Sequence, residues 1–272
     1  MSESASCLAK EDKAAVLEKL TGLISDNSTD KRSLVYRLAD YLGRMTSDPK
    51  IKKQSLILLI KGLNDKDGAI VYTNLQALKQ YTRRDFDLRM KHDISQKIQE
   101  GAQPHYELLV KIGGWLDIPD LNVFFRQKLQ DKSGTTNRER WAMRLAMARM
   151  GEQDMVQYCL RKAEAAPLND DAVYDLVPDL VYTRQKPIFA YLFRIIESDD
   201  RNCSSPNPDR NADIICAYGV IEKIAPVIVR FPLKTDKSGE LVSNNSKEIL
   251  SVSRKWIKET AIYGYEIENE KF

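Results

Sequence analysis

Residues 48–81 constrain the fold of this chain most, because they place an apolar helical stripe on each side of a short polar turn. Asp48 and Pro49 predict a helix start, since an acidic side chain caps free backbone amides and a proline at the first helical position loses no hydrogen bond. Residues 64–68 read Asn-Asp-Lys-Asp-Gly, a composition that favours a tight turn. Two helices joined so closely must pack antiparallel to cover their apolar faces. This stretch therefore predicts a helical hairpin.

Apolar stripes with helical spacing recur along the rest of the chain, and no strand-like alternation of any length competes with them. Helix starts come about every 16 to 19 residues, so a two-helix unit spans about 35 residues, within the range of helical repeat arrays. One helix is predicted to open at Thr136, where Glu139 completes a capping box, and to end at Gly151. The other predicted helices cover residues 10–24, 30–45, 83–98, 106–116, 119–129, 154–165, 170–182, 187–196, 213–228 and 246–262. The chain is therefore predicted to be all-α.

The run LNDKDGAIVYTNLQALKQY, residues 63–81, resembles the second half of a HEAT repeat. Residues 141–160 are a looser match. The shared features are a leucine that ends one helix, an Asp-x-Asp turn and three apolar positions on the next helix: Leu63, Asp65, Asp67, Val71, Leu75 and Leu78. The resemblance implies a right-handed α-α superhelix, an armadillo-like solenoid of about five to six helical hairpins that forms a single domain over residues 1–272.

Two polar segments interrupt the helical pattern. Residues 197–213 are rich in Asp, Asn, Ser, Pro and Arg, and we expect them to form a long loop. Residues 263–272 are predicted to form a polar C-terminal tail that faces solvent.

The four cysteines show neither paired nor metal-like spacing. Cys159 and Cys216 lie on apolar helical stripes and are predicted to be buried free thiols, although Cys203 in the polar loop could pair with Cys216. Free thiols favour a reducing compartment, and the start of the chain lacks a signal-peptide pattern, so a cytoplasmic location is expected. Export stays open as an alternative, because residues 1–5 are polar and small and could be a cloning remnant ahead of a mature chain.

Composition and motif content narrow the possible functions. Lys and Arg number 42 against 39 Asp and Glu, so the net charge of +3 lacks the strong positive charge of a dedicated nucleic-acid binder. The histidines, His92 and His105, offer little for a catalytic triad or a zinc cluster. The sequence has no phosphate-binding glycine loop, metalloprotease motif, nucleophile elbow or calcium loop. It also has no run of about 18 apolar residues that could span a membrane. We therefore expect no enzymatic activity, no cofactor and no metal.

The repeat architecture and the absence of catalytic motifs together predict a non-enzymatic scaffold that binds a protein or peptide on its concave face. Polar side chains on the second helix of each hairpin are expected to line such a site. The candidate partner-binding residues are Asn74, Lys79, Arg83, Arg84, Arg138, Arg140 and Arg144.

An arginine-rich face supports nucleic-acid binding as an alternative, because stacked repeats could align arginines to contact phosphates. A small family of HEAT-like DNA glycosylases uses a similar surface, so the resemblance implies a base-excision enzyme as this alternative function. In a third interpretation, the 197–213 loop or the C-terminal region docks the protein onto a larger assembly. The arginines of the face are Arg83, Arg84, Arg89, Arg138, Arg140, Arg144 and Arg149.

Overall fold

The computed structural model confirms the prediction of an all-α protein. The described residues are mainly helical, and among them no β-strand forms. The structure describes residues 12–101, 103–131, 134–169, 171–198, 216–236, 239–243 and 245–272. None of the helices in these ranges has the length and apolar character that a bilayer span requires.

The described residues group into two compact units. The first unit contains those up to Met143 together with Glu270–Phe272, and the second contains those of Arg144–Asn269. Two compact units are compatible with one repeat array or with two domains. The single HEAT-like domain over residues 1–272 therefore stays a prediction.

Seven helices lie within the described part of the first unit, and an eighth, α8 at Asn137–Arg149, begins there. Short 3-10 turns at Gly62–Asn64 and Arg83–Asp85 separate some of them. The seven are α1 (Lys13–Leu23), α2 (Thr29–Arg44), α3 (Pro49–Lys61), α4 (Gly68–Leu78), α5 (Leu88–Glu100), α6 (Tyr106–Trp115) and α7 (Asp120–Gln130).

Helices α3 and α4 form the hairpin predicted at residues 48–81. Asp48 caps α3 by accepting a hydrogen bond from the Lys50 amide at 2.8 Å, and Asp67 caps α4 by accepting one from the Ala69 amide at 2.8 Å. The apolar stripes of both helices are buried. The polar turn and the capping residues thus have the roles that their sequence predicts.

Three further helix ends follow the sequence signals. The Glu139 amide donates to the Thr136 hydroxyl at 3.1 Å, and the Glu139 carboxylate accepts from the Thr136 amide at 2.6 Å, so the predicted capping box forms at the start of α8. Gly101 after α5 and Gly151 after α8 have φ values of 71° and 94°. Glycine adopts this left-handed conformation without steric cost, which explains why both helices end there.

Helix α5 begins later than the predicted helix at 83–98. The Thr82 amide and hydroxyl both donate to the Asp85 carboxylate at 2.9 Å, which closes a 3-10 turn ahead of the helix. Asp87 then caps α5 by accepting from a backbone amide 3.0 Å away. Because the two aspartates bind amides of different turns, the chain completes one turn before the α-helix starts.

Polar pairs recur at a nearly fixed sequence separation in the first unit. In each pair, the aspartate lies in or near a turn that is one or two helices further along the chain than the basic residue. The separation is close to the two-helix unit of about 35 residues predicted from the spacing of helix starts. The pairs are Arg32 with Asp65, Lys52 with Asp85 and Arg83 with Asp117, which are 33, 33 and 34 residues apart.

The described helices of the second unit are less regular. Residues Ala172–Leu176 form a π-helical turn ahead of Pro178. Because the proline nitrogen donates no hydrogen bond, the regular ladder of the predicted helix at 170–182 is interrupted there. Most of the predicted loop at 197–213 lies outside the described residues. Besides the end of α8, the helices are α9 (Gln153–Ala165), α10 (Val177–Tyr182), α11 (Lys186–Glu197), α12 (Cys216–Ile224) and α13 (Ser246–Glu259).

The two cysteines on helical stripes differ in state. Cys159 is a free, fully buried thiol, and burial raises its pKa to about 12, as predicted for a cysteine that packs as a small apolar group. Cys216 is also buried, but it is disulfide-bonded. The prediction of a free thiol is therefore wrong at Cys216.

Candidate functional site

The C-terminal segment, residues 264–272, is extended chain that packs against helices. Ile267 is only 7% exposed and pairs with Ile228 in an isolated antiparallel bridge. The Val229 amide donates to the Glu266 carbonyl at 3.0 Å, and the Glu268 amide donates to the Val227 carbonyl at 2.9 Å. The prediction of a polar tail that faces solvent is therefore wrong at Ile267, whereas Tyr263, Glu266 and Lys271 are exposed.

In the second unit, two arginines bind the main chain of the C-terminal segment. Arg184 donates through Nε to the Glu268 carbonyl at 3.0 Å, and Arg149 donates through Nη2 to the Asn269 carbonyl at 3.1 Å. Arg149 also donates through Nη1 to the Tyr182 carbonyl at 2.7 Å. Helix α10 ends at Tyr182, and its last carbonyls have no partner within the helix. The guanidinium groups therefore satisfy a helix end and an extended segment together.

Arg184 is held in an unusual environment. It is 9% exposed and has a φ of 57°, which places a side chain other than glycine in the left-handed region. Burial and the nearby Arg149 lower the pKa of Arg184 to about 9, so the guanidinium is protonated at neutral pH. It can therefore act as a charged donor to a carbonyl group, a contact stronger than a neutral hydrogen bond.

An aromatic cluster of the second unit anchors the same segment. The Tyr265 ring lies 5.1 Å from Phe193, 6.2 Å from Trp256 and 6.4 Å from Phe189, measured between ring centroids. Burial raises the pKa of Tyr265 to about 12, so the phenol stays neutral. Tilted and edge-on aromatic pairs at these distances stabilise the packed state.

In the first unit, the carbonyl of Glu270 is bound by two donors. The Arg83 amide donates to it at 2.8 Å, and the Trp115 Nε1–H donates to it at 3.2 Å. The Glu270 carboxylate forms an ion pair with Arg84, whose Nε lies 3.2 Å from Oε2. Arg83 itself forms an ion pair with Asp117 through its guanidinium. The Arg83 side chain is thus committed elsewhere while its backbone binds the segment.

The ring of Phe272 occupies an aromatic pocket of the first unit. Its centroid lies 5.7 Å from Trp115 in an edge-to-face arrangement, and Trp115 lies 5.5 Å from Phe86 in the same arrangement. Lys79 Nζ is 4.9 Å from the centroid of the Phe272 ring, within the range of a cation–π contact. Trp115 is 1% exposed, so the pocket has a fixed wall.

Three of the predicted site residues meet at Glu270–Phe272, namely Lys79, Arg83 and Arg84. Asn74 does not, since it is fully buried and donates to the Ile70 carbonyl of its own helix at 2.9 Å. Its prediction as a partner-binding residue is wrong, because the side chain has no surface to offer.

The other predicted site residues lie on α8. Arg140 donates to Asn137, and Arg144 stacks over the Tyr158 ring with its guanidinium carbon 4.4 Å from the centroid. Arg138 is exposed. Within the described residues, no hydrogen bond or ion pair links any of these three arginines to the C-terminal segment.

Sequence reasoning missed the roles of Trp115 and Arg184 in binding this segment. The alternation Tyr-Glu-Ile-Glu at residues 265–268 is a strand-like signal that predicts an extended, half-buried segment. No local pattern marks Arg184, because its partner Glu268 lies 84 positions further along the chain.

The arrangement as a whole can hold an extended chain. Backbone carbonyls are bound by fixed donors, and aromatic side chains fill pockets, which are the two components of extended-peptide recognition. Among the described residues, no group of three or more His, Cys, Asp and Glu side chains is placed to hold a metal ion.

Comparisons with protein-family models, with curated proteins and with solved structures found no match. The structure itself defines the class: an all-α protein whose extended C-terminal segment is packed on its own helices. The resemblance to HEAT repeats stays a prediction.

Proposed function

We propose that this protein is a non-enzymatic, HEAT-like α-solenoid scaffold that binds an extended segment of a partner protein at the sites now taken by residues 264–272. The observation that carries the proposal is the capture of successive backbone carbonyls by side-chain and backbone donors. Arg184 and Arg149 bind Glu268 and Asn269 in the second unit. Every residue type presents such a carbonyl, so these donors suit any extended chain of the right length.

The repeat interpretation is supported by the polar pairs of the first unit. Their separations of 33 or 34 residues match the length of a two-helix repeat. In the second unit, the contact between Arg149 and Tyr182 also spans 33 residues. Helical repeat proteins present extended binding surfaces built from equivalent positions of successive repeats.

The internal segment competes with any partner. A tethered ligand acts at an effective concentration on the order of millimolar when its linker is short. A partner segment must therefore displace residues 264–272, so its apparent affinity for the intact chain is lower than for a chain whose segment has been weakened.

No observation favours the nucleic-acid alternative. Several arginines of the predicted face are engaged by protein groups: Arg83 with Asp117, Arg84 with Glu270 and Arg144 with the Tyr158 ring. A phosphate would have to replace these contacts.

Selection of linear peptides from a display library tests the proposal. The target is the full chain carrying Phe272→Ala, which weakens the internal competitor. We expect binders that a synthetic peptide of residues 264–272 displaces, and we expect Arg149→Gln to weaken them about tenfold because a charged donor is lost. Arg138→Gln is the matched control on the same helix and should leave binding unchanged. Recovery of no binder that this peptide displaces would contradict the proposal.

A further inference from the structure

The aromatic pocket of the first unit holds the Phe272 side chain of the C-terminal segment. Phe272 lies edge-on to Trp115, with the Lys79 ammonium 4.9 Å from its ring centroid. The buried Trp115 indole also meets Phe86 in an edge-to-face arrangement. An aliphatic side chain could fill this space but could not interact with the cation through a π face. The pocket therefore favours an aromatic residue.

Basic side chains lie near Glu270, the acidic residue two positions before Phe272. Arg84 Nε lies 3.2 Å from the Glu270 carboxylate. Burial and the nearby Arg83 lower the pKa of Lys91, while Asp117 and then Glu270 oppose that shift. Lys91 is thus close to another cation. A carboxylate at this position offsets that repulsion, whereas a neutral or basic side chain would not.

The main chain is held at Glu270, because the Arg83 amide and the Trp115 indole N–H both donate to the Glu270 carbonyl. The contacts thus specify a main-chain carbonyl, a carboxylate on the same residue and an aromatic ring two positions later.

We infer that the first unit recognises partner proteins through an exposed, extended tripeptide with an acidic residue at its first position and an aromatic residue at its third. Glu270, Lys271 and Phe272 act as the internal counterpart of this tripeptide. The inference rests on the proposed function and names the class of partner that it serves.

Fluorescence anisotropy with labelled peptides tests the inference on the full chain carrying Glu270→Ala and Phe272→Ala. The parent probe has the sequence of residues 264–272 and ends in an amide, so that no terminal charge contributes. Three further probes carry alanine in place of Glu270, Glu266 or Phe272. We expect the first to bind about three- to fivefold more weakly than the parent, because its ion pair with Arg84 is largely exposed. The third should bind at least tenfold more weakly, and the second, which replaces an exposed side chain, should bind within twofold of the parent.

Arg84→Ala in the same protein gives a second, matched readout. It should reduce the difference in affinity between the parent and the Glu270→Ala probe, while Arg89→Ala should preserve that difference. A protein carrying Phe272→Leu alone repeats the measurement if the double variant does not show the helical circular dichroism of the wild type.

The outcomes separate the inference from the proposed function. If all four probes bind with equal affinity, the tripeptide selectivity is wrong and the binding of extended segments stands. If no probe binds a folded variant, both are wrong.

Discussion

The ion pair between Arg32 and Asp65 links helix α2 to the turn that follows α3. Their side chains are 4% and 2% exposed and meet through two hydrogen bonds. Arg32 also donates to the Asp26 carbonyl at 2.9 Å. Removing one partner of a buried, hydrogen-bonded ion pair leaves the other charge without compensation, and this costs far more than the loss of an exposed pair.

Asp65→Asn is therefore expected to lower the melting temperature clearly. Asp67→Asn, in the same turn, is the control, because Asp67 caps α4 and asparagine caps a helix equally well. Thermal unfolding followed by circular dichroism compares the two variants. Equal losses of melting temperature in the two variants would show that the ion pair with Arg32 does not add to the stability of the fold.

Gly43 and Gly22 form a second matched pair. A Cβ at Gly43 would lie 2.7 Å from the Ser55 Cβ, whereas a Cβ at Gly22 meets nothing within 4 Å. Gly43→Ala should reduce the free energy of unfolding by about 1 to 3 kcal/mol through overpacking, and Gly22→Ala should raise it by about 0.5 to 1 kcal/mol through chain entropy. Urea denaturation measures both. A neutral Gly43→Ala would contradict the close helix contact.

Tyr106 predicts a pH dependence of stability. Its hydroxyl donates to the Ile98 carbonyl at 2.8 Å, and burial raises its pKa to about 12, while an unfolded tyrosine ionises near pH ~10. The contribution of Tyr106 to the free energy of unfolding is therefore fully present below about pH 10 and is lost as the pH rises toward 12. Tyr106→Phe should flatten this fall in alkaline urea titrations. Tyr263→Phe, at a position 87% exposed, should leave the fall unchanged, and the account fails at this residue if the two variants behave alike.

At the scale of elements, the C-terminal segment behaves as a short strand without a sheet. The amides of Val229 and Glu268 donate across the bridge at 3.0 and 2.9 Å, so we expect them to exchange slowly with solvent in the full chain. The Glu266 amide is the comparison. Glu266 takes part in the bridge through its carbonyl, so its amide should exchange faster. Hydrogen exchange followed by NMR measures the three rates, and three similar rates would show that the segment is not docked.

Helix ends could be predicted from the sequence because capping acts within a few residues. Asp48, Thr136 and Gly151 are each recognisable from their immediate neighbours. The docking of the C-terminal segment could not be predicted in this way, because the contacts of Glu268 and Asn269 come from residues 84 and 120 positions away. Asn74 departs from its prediction for another reason: a polar side chain that bonds a carbonyl of its own helix can be buried on an apolar face.

At the scale of the whole molecule, a net charge of +3 and the engaged arginines predict weak binding to nucleic acid. A labelled 20-base-pair duplex should show no binding beyond a non-specific affinity weaker than about 1 µM at physiological salt. Anisotropy titrations at several salt concentrations check this. Tight binding that weakens steeply with added salt would favour the arginine face instead.

We expect the donors that hold the C-terminal segment to hold an equivalent segment from another protein. The Trp115 Nε1–H reports on this directly, because it donates to the Glu270 carbonyl at 3.2 Å. In the full chain carrying Glu270→Ala and Phe272→Ala, its NMR resonance should shift from the wild-type position and return toward it when a peptide of residues 264–272 is added. If the resonance shifts in the variant but does not respond to a saturating amount of peptide, the segment is only an internal strap and the account is wrong.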